Sequence, residues 1–303
     1  MTRCLPILAM QFPAPEDPSA GGSFEPVLRS YLHLFPATRL VVYPELYLCP
    51  LGFGSAEEQA LPLDGPRMEW LRGLAHELGV WLVPGTVYER GSDGAVYNTA
   101  VAISPSGDLV ATYRKCCPWR PYETVTPGQE FTVFEIPEIG RIGLSICYDT
   151  WFPEVARQLA WMGAEVIVQP NFTRTADRAQ ELVLLRAAAI ANQVFVVNVN
   201  TAAPTAVGQS LIAGPEGEII CLAGESTTPI TQVLDLNQVA KVREFGTVGL
   251  NRVWSQFHES DLPLPLPAYS GRIDPHDWQP RNDAAHAARA SFGNNGGPRP
   301  RLL

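Results

Sequence analysis

Apolar runs of strand length alternate with stretches of helical periodicity along most of this chain, and that alternation restricts the fold more than any other feature. Leu5–Phe12, Leu40–Tyr43 and Val80–Tyr88 read as buried strands. The spacing predicts helices over Phe24–Leu34 and through Met68, Leu71, Leu74, Ala75 and Leu78, where Gly79 supplies a stop signal. Further on, a helix is expected from Pro153 to about Met162, because the proline ring suits a first helical turn. A strand over Val166–Gln169, a helix over Arg178–Asn192 and a strand over Val194–Val199 follow. Tyr97–Ile103 and Leu109–Arg114 flank the turn formers Ser104-Pro105-Ser106-Gly107-Asp108, and Ser210–Ala213 and Glu218–Leu222 flank Gly214-Pro215-Glu216-Gly217. A further strand pair, Phe131–Ile136 with Arg141–Ile146, surrounds Pro137–Gly140. The echo between the two hairpins suggests a pseudo-duplicated, layered α/β domain in which two sheets are each faced by helices.

Composition narrows the functional classes. With 46% apolar and 17% charged residues among 303, the chain is expected to be mostly globular. A net charge of −9 argues against a nucleic-acid partner, which needs a cationic face. No apolar run approaches bilayer length, and the short run Leu5–Met10, cut by Gln11, is too little for a signal peptide; a soluble cytoplasmic protein is expected. Six irregularly spaced cysteines and five scattered histidines form no disulfide or zinc pattern, and no phosphate-binding glycine loop or G-x-S-x-G elbow occurs. From Leu262 onward proline recurs too densely for a sheet or helix to continue. The expected division is therefore a layered main domain over residues 1–245 and a proline-rich extension over 246–303, packed on the domain or on a partner subunit.

Three segments carry chemistry. In Gly143-Leu-Ser-Ile-Cys147-Tyr-Asp-Thr-Trp-Phe-Pro153 a buried strand runs into a cysteine just before a helix. A thiol at such a turn has backbone N–H groups nearby to hold an oxyanion, and those amides with a neighbouring cation would lower its pKa. Glu45 follows Val41-Val42-Tyr43-Pro44, and Lys115 closes the strand Leu109–Arg114. Each alone reads as a loop or surface charge; all three lie at ends of apolar strands, where α/β sheets bind ligands.

Pro44-Glu45, Tyr113-Arg114-Lys115 and Gly143-x-x-Ile-Cys147-Tyr-Asp149 resemble the signature blocks of the nitrilase, or carbon–nitrogen hydrolase, superfamily, over roughly residues 5–240. The resemblance implies a four-layer α-β-β-α sandwich with two mixed sheets, a Glu–Lys–Cys triad hydrolysing non-peptide C–N bonds, no metal or organic cofactor, and homodimers or larger assemblies formed through the outer helices. Glu45 would then serve as base, with a pKa raised by desolvation, Cys147 as nucleophile, and Lys115 with the backbone N–H of Tyr148 as oxyanion donors. Glu123, eight residues after Lys115, resembles a second glutamate of aliphatic amidases that orients the substrate NH₂. Cys147-Tyr-Asp-Thr-Trp-Phe-Pro-Glu154 is closer to the carbamoylase branch, so a small amide and an N-carbamoyl amine both stand as substrates, ahead of a nitrile. The loop Asn171-Phe172-Thr173-Arg174 would line the acyl pocket, and Trp119 and Trp151 would wall it. Arg174 or Arg178 would suit a substrate carboxylate, unless Arg178 pairs with Asp177 or Glu181 on the helix surface. Cys116 and Cys117 read as buried filler. A catalytically silent binding protein on the same fold is the alternative of another class, and the intact Glu45, Lys115 and Cys147 count against it.

Overall fold

In the computed structural model, which describes residues 3–13, 23–49, 54–259, 263–269 and 271–273, the apolar runs become strands, and the central ones are buried on both faces. In chain order the first sheet takes β1 (Cys4–Gln11), β2 (Leu40–Val42), β3 (Trp81–Val83), β4 (Thr86–Arg90), β5 (Val96–Ile103) and β6 (Leu109–Arg114). Helices α1 (Phe24–Leu34), α2 (Ala56–Gln59) and α3 (Pro66–Leu78) are interspersed among them. The second sheet takes β7 (Thr132–Ile136), β8 (Gly140–Leu144), β9 (Val166–Asn171), β10 (Phe195–Asn200), β11 (Leu211–Ala213) and β12 (Ile219–Leu222), with α4 (Pro153–Trp161) and α5 (Arg178–Asn192) between them. Strand β13 (Thr228–Asp235) then returns to the first sheet, pairing antiparallel with β1 from Cys4↔Asp235 to Gln11↔Thr228. The strand orders are β13-β1-β2-β3-β5-β4, with β6 also on β5, and β12-β11-β10-β9-β8-β7. In each sheet three central strands run parallel, β1-β2-β3 and β8-β9-β10, and the flanking pairs are antiparallel.

Side-chain alternation along β1 shows how the layers arise. Leu5, Ile7 and Ala9 join Ile142, Leu144, Val166, Val168, Val197 and Val199 in one core between the sheets. Leu8 and Met10 point the other way, onto Phe24 and Leu28 of α1 and Met68, Leu71 and Leu74 of α3. Burying each such side chain contributes about 1.5–3 kcal/mol, which makes a strand apolar on both faces the natural middle layer. On the far side α4 lies so close to β8 that a Cβ on Gly143 would sit 3.2 Å from Leu159 and Ala164. The result is a mixed two-sheet sandwich with helices on both outer faces. α3 starts with Pro66 and ends at Gly79, whose φ of +66° lets its N–H cap the last carbonyls.

Two expectations need correction. Val80–Tyr88 is not one strand: Pro84-Gly85 separates β3 from β4, and Gly85 adopts φ +88°. Proline also does not exclude pairing after Leu262. Leu264–Leu266 pairs antiparallel with Gly271–Ile273, placing Pro265 opposite Arg272, as a two-stranded ladder allows because each strand has a free edge. The chain divides after Val242 into two compact units, within helix α6 (Asn237–Phe245); the second unit holds a short helix α7 (Val253–His258) and this ladder, β14 and β15. The proline- and glycine-rich segment after Ile273 lies outside the described residues. Among the described residues no helix is long and apolar enough to cross a membrane.

Candidate active site

The strand ends place four functional groups together. Glu45 lies three residues beyond β2, and its backbone N–H donates to the Asn171 carbonyl at 3.2 Å, tying it to the end of β9 in the other sheet. Lys115 directly follows β6, where its N–H donates to the Asn98 carbonyl at 2.8 Å. The Lys115 ammonium, 1% exposed, then contacts Glu45 Oε1 at 2.9 Å and Glu123 Oε2 at 2.8 Å. Asn98 donates from Nδ2 to Glu45 Oε1 at 2.8 Å and to Glu123 Oε1 at 3.3 Å. Two carboxylates thus share one cation and one amide. Glu123, whose side chain is 19% exposed against 3% for Glu45, is the more open of the two.

Cys147 opens a 3₁₀ turn, Cys147–Trp151, between β8 and α4, and its thiol and the Glu45 carboxyl act on one another electrostatically. Its φ of +43° is left-handed, a conformation that side chains usually avoid and that here presents the thiol at a sharp turn. Two buried polar groups hold the turn. Asp149 accepts from Tyr113 Oη and Ile146 N at 2.8 Å each and from Cys117 N at 2.9 Å. Gln169 Nε2 donates to the Cys147 carbonyl at 3.1 Å.

Electrostatics follow from burial. Desolvation raises the Glu45 pKa, opposed by Lys115 and reinforced by Glu123. Burial alone would lower that of Lys115, but Glu45, Cys147 and Glu123 together hold the ammonium well above its ordinary value. The thiol departs from expectation: burial, with Glu45 adding, pushes Cys147 well above the ordinary range, and Lys115 only partly opposes this. A cation that is already neutralised by two carboxylates cannot hold a desolvated thiolate.

Burial also pushes Asp149 up to about 6 from 3.8. A carboxyl whose folded pKa is raised stabilises the fold most below its unfolded pKa, and that contribution is lost as pH rises from about 4 to about 6. The loss amounts to about 3 kcal/mol. Denaturant titrations of wild type and Asp149→Asn should therefore converge or cross over this window, with wild type losing more stability; parallel curves would contradict the assignment.

The fold and this cluster of groups can be set beside known proteins. A family model described as carbon-nitrogen hydrolase matches residues 30–244. The chain belongs to the carbon-nitrogen hydrolase family. Within this nitrilase superfamily it falls on the amidase-like branch: it is 34% identical to the omega-amidase NIT2 of Xenopus tropicalis, over 68% of this chain and 80% of that protein. The human omega-amidase NIT2 is 31% identical over the same shares. Among solved structures, Nit3 of Saccharomyces cerevisiae superposes with a TM-score of 0.74 at 25% identity, covering 83% of this chain and 97% of that one. A cysteine-to-alanine mutant of the amidase from Nesterenkonia sp., in complex with butyramide, shares the fold with a TM-score of 0.67 at 23% identity, over 80% and 95% of the two chains.

In this hydrolase the remaining residues singled out from sequence divide into two groups. Trp119, Tyr148 and Trp151, all half-buried, form a row of ring contacts, with centroids 6.5 Å apart for Trp119–Tyr148 and 6.1 Å for Tyr148–Trp151. Exposed Tyr122 extends the row, 4.3 Å from Trp119. Phe172 is half-buried and Arg174 exposed, whereas Asn171 and Thr173 are buried. Arg178 is neither a free clamp nor a surface pair: it is buried and bonds Glu181 at 2.6 Å, Asn198 Oδ1 at 2.7 Å and the Gln209 carbonyl at 2.7 Å. Cys116 and Cys117 are half-buried rather than sealed.

Sequence reasoning missed Asn98 and Gln169 as site supports. Asn98 is a buried amide in Val96–Ile103, a strand buried throughout in which only Thr99 beside it is as polar, and that mismatch is the signal that points to it. It also missed two close approaches. A Cβ on Gly85 would meet the Pro44 carbonyl oxygen at 1.8 Å, and one on Gly128 would meet that of Arg114 at 2.1 Å, so these glycines press against the segments carrying Glu45 and Lys115.

Proposed function

We propose that the enzyme hydrolyses a small amide by thioester catalysis at Cys147. The observation that carries this reading is the Lys115 ammonium held between Glu45 and Glu123, with the Cys147 thiol against Glu45. Glu45, desolvated and raised in pKa, takes the thiol proton as sulfur attacks the carbonyl carbon. The carbonyl π electrons move to oxygen, and Lys115 with the Tyr148 N–H stabilises the oxyanion. Glu123 keeps acceptor capacity at Oε1, whose one bond, from Asn98, is the longer at 3.3 Å, and this oxygen accepts from the substrate NH₂. Collapse of the intermediate breaks the C–N bond, and Glu45 passes its proton to the departing amine. Water, deprotonated by Glu45, then cleaves the thioester; the acid leaves and the thiol regains its proton.

The raised thiol pKa fits this sequence, because proton removal and attack are coupled instead of depending on a standing thiolate. The names of the relatives, omega-amidase and amidase, support a simple amide over an N-carbamoyl amine. With butyramide as probe, whole-protein mass spectrometry on the quenched enzyme should show an acyl adduct that Cys147→Ala lacks, and the products should be butyrate and ammonia. Turnover retained in Cys147→Ala would rule the mechanism out. Carbon dioxide, ammonia and a free amine, released from an N-carbamoyl amine at a higher kcat/KM than any amide, would reassign the substrate.

A further inference from the structure

Behind the nucleophile lies a buried polar chain that the proposed reaction steps do not use. Thr173 Oγ1 stands 4.0 Å from Cys147 Sγ and 2.8 Å from Glu181 Oε2. Asn171 Nδ2 donates to the same hydroxyl at 2.8 Å. Glu181, 1% exposed, is held by Arg178 at 2.6 Å, and Arg178 is anchored in turn by Asn198 and the Gln209 carbonyl. The Thr173 backbone is fixed from both sides by Asn200, whose Oδ1 accepts from Thr173 N at 2.8 Å and whose Nδ2 donates to the Thr173 carbonyl at 3.0 Å.

A hydroxyl has one hydrogen and two lone pairs. The Glu181 carboxylate can only accept, so it takes that hydrogen; the Asn171 amide occupies one lone pair. What remains toward the sulfur is the second lone pair.

We propose that Thr173 and Glu181 are positioning residues that keep the Cys147 sulfur protonated in the free enzyme, Glu181 drawing the Thr173 hydrogen to itself so that the hydroxyl faces sulfur with its oxygen. An oxygen lone pair beside sulfur disfavours a thiolate, which delays ionisation until Glu45 takes the single S–H hydrogen during attack. The charged groups acting on the sulfur come from three elements: Glu45 beyond β2, Lys115 beyond β6 and Glu181 on α5. Glu123 acts beside Lys115, and Asp149 is turned into its own bonds with Tyr113, Ile146 and Cys117. Glu181 acts unfavourably on the thiolate, in the direction of this arrangement, and the backbone N–H of Phe172 acts favourably on it. A nucleophile kept as thiol resists adventitious alkylation and oxidation, which act on the thiolate.

This inference takes Cys147 as the nucleophile of the proposed function, but its test needs no turnover. The rate of iodoacetamide alkylation is followed against pH and read at the Cys147 peptide by mass spectrometry, which separates it from the five other cysteines. Thr173→Val keeps the shape and leaves the Arg178–Glu181 pair intact; Thr173→Ser keeps the hydroxyl. In Thr173→Val the midpoint of the profile is expected to fall by about half a pH unit or more, and in Thr173→Ser to stay with wild type. The direction decides the matter. A higher midpoint in Thr173→Val would mean that the hydroxyl donates to sulfur, and an unchanged one that it does not act on it; either overturns the proposal, as does Thr173→Ser moving with Thr173→Val. If instead Cys147→Ala kept amide turnover while these profiles behaved as expected, the proposed function would fail and this role of Thr173 would stand.

Discussion

Lys115→Ala is expected to lose both activity and stability, and to lose more stability than any other single substitution in the cluster. The ammonium is 1% exposed and is the cation shared by Glu45 and Glu123. Removing it leaves two carboxylates facing one another in a desolvated setting, and breaking a buried ion pair from one side costs about 3–5 kcal/mol. One carboxyl must then take up a proton near neutral pH, so Glu45, already raised, moves further up and ceases to act as a base. On the proposed mechanism, loss of the oxyanion partner alone is expected to lower kcat by about 10²–10³-fold, and loss of a competent base to add to that. Thermal melts and steady-state kinetics against pH check both parts. The melting temperature should recover partly at acid pH, where the carboxyls are neutral; a variant with wild-type stability at neutral pH would contradict the ion-pair account.

The second large effect comes from a residue with no functional group. Gly85→Ala would place a methyl 1.8 Å from the Pro44 carbonyl oxygen, at a backbone φ of +88° that alanine adopts only under strain. Neither backbone can yield without moving Glu45, whose N–H is tied to Asn171. Strain and overpacking together are expected to cost about 3 kcal/mol. Displacing the proposed base by about 1 Å is expected to lower kcat by about 10²-fold. Gly79→Ala serves as the control: φ there is also positive, at +66°, but a Cβ meets nothing within 4 Å. It should lose stability alone, so equal loss of kcat per unit of stability in both variants would refute the steric argument.

These two positions mark what could and could not be read from the chain. Helix boundaries set by local signals were legible: Phe24–Leu34 and Arg178–Asn192 have the predicted ends, because apolar spacing, Pro and Gly punctuation act over a few residues. Glu45, Lys115 and Cys147 were recognisable because each stands beside a short block with its own pattern, and Glu123 through its spacing from Lys115. Strand β13 was missed. Its sequence Thr-Pro-Ile-Thr-Gln-Val-Leu-Asp is only partly buried, and its partner β1 lies more than 200 residues away, so nothing local announces it. Thr173 was singled out as a pocket residue, but its bonds to Glu181 and Asn200 depend on how β9, α5 and β10 pack. The thiol pKa went the other way for the same reason. A neighbouring lysine could be inferred, whereas the two carboxylates that neutralise it in a buried setting could be weighed only in three dimensions.

The sharing of one ammonium by two carboxylates also bears on how a catalytic cycle ends. On the proposed reaction a neutral amide would leave an acid that ionises beside Glu45 and Glu123, setting a third anion against a single cation in a medium that screens poorly. A pocket built this way would expel such a product, and the reverse reaction, condensing acid with amine, would be starved of its first encounter.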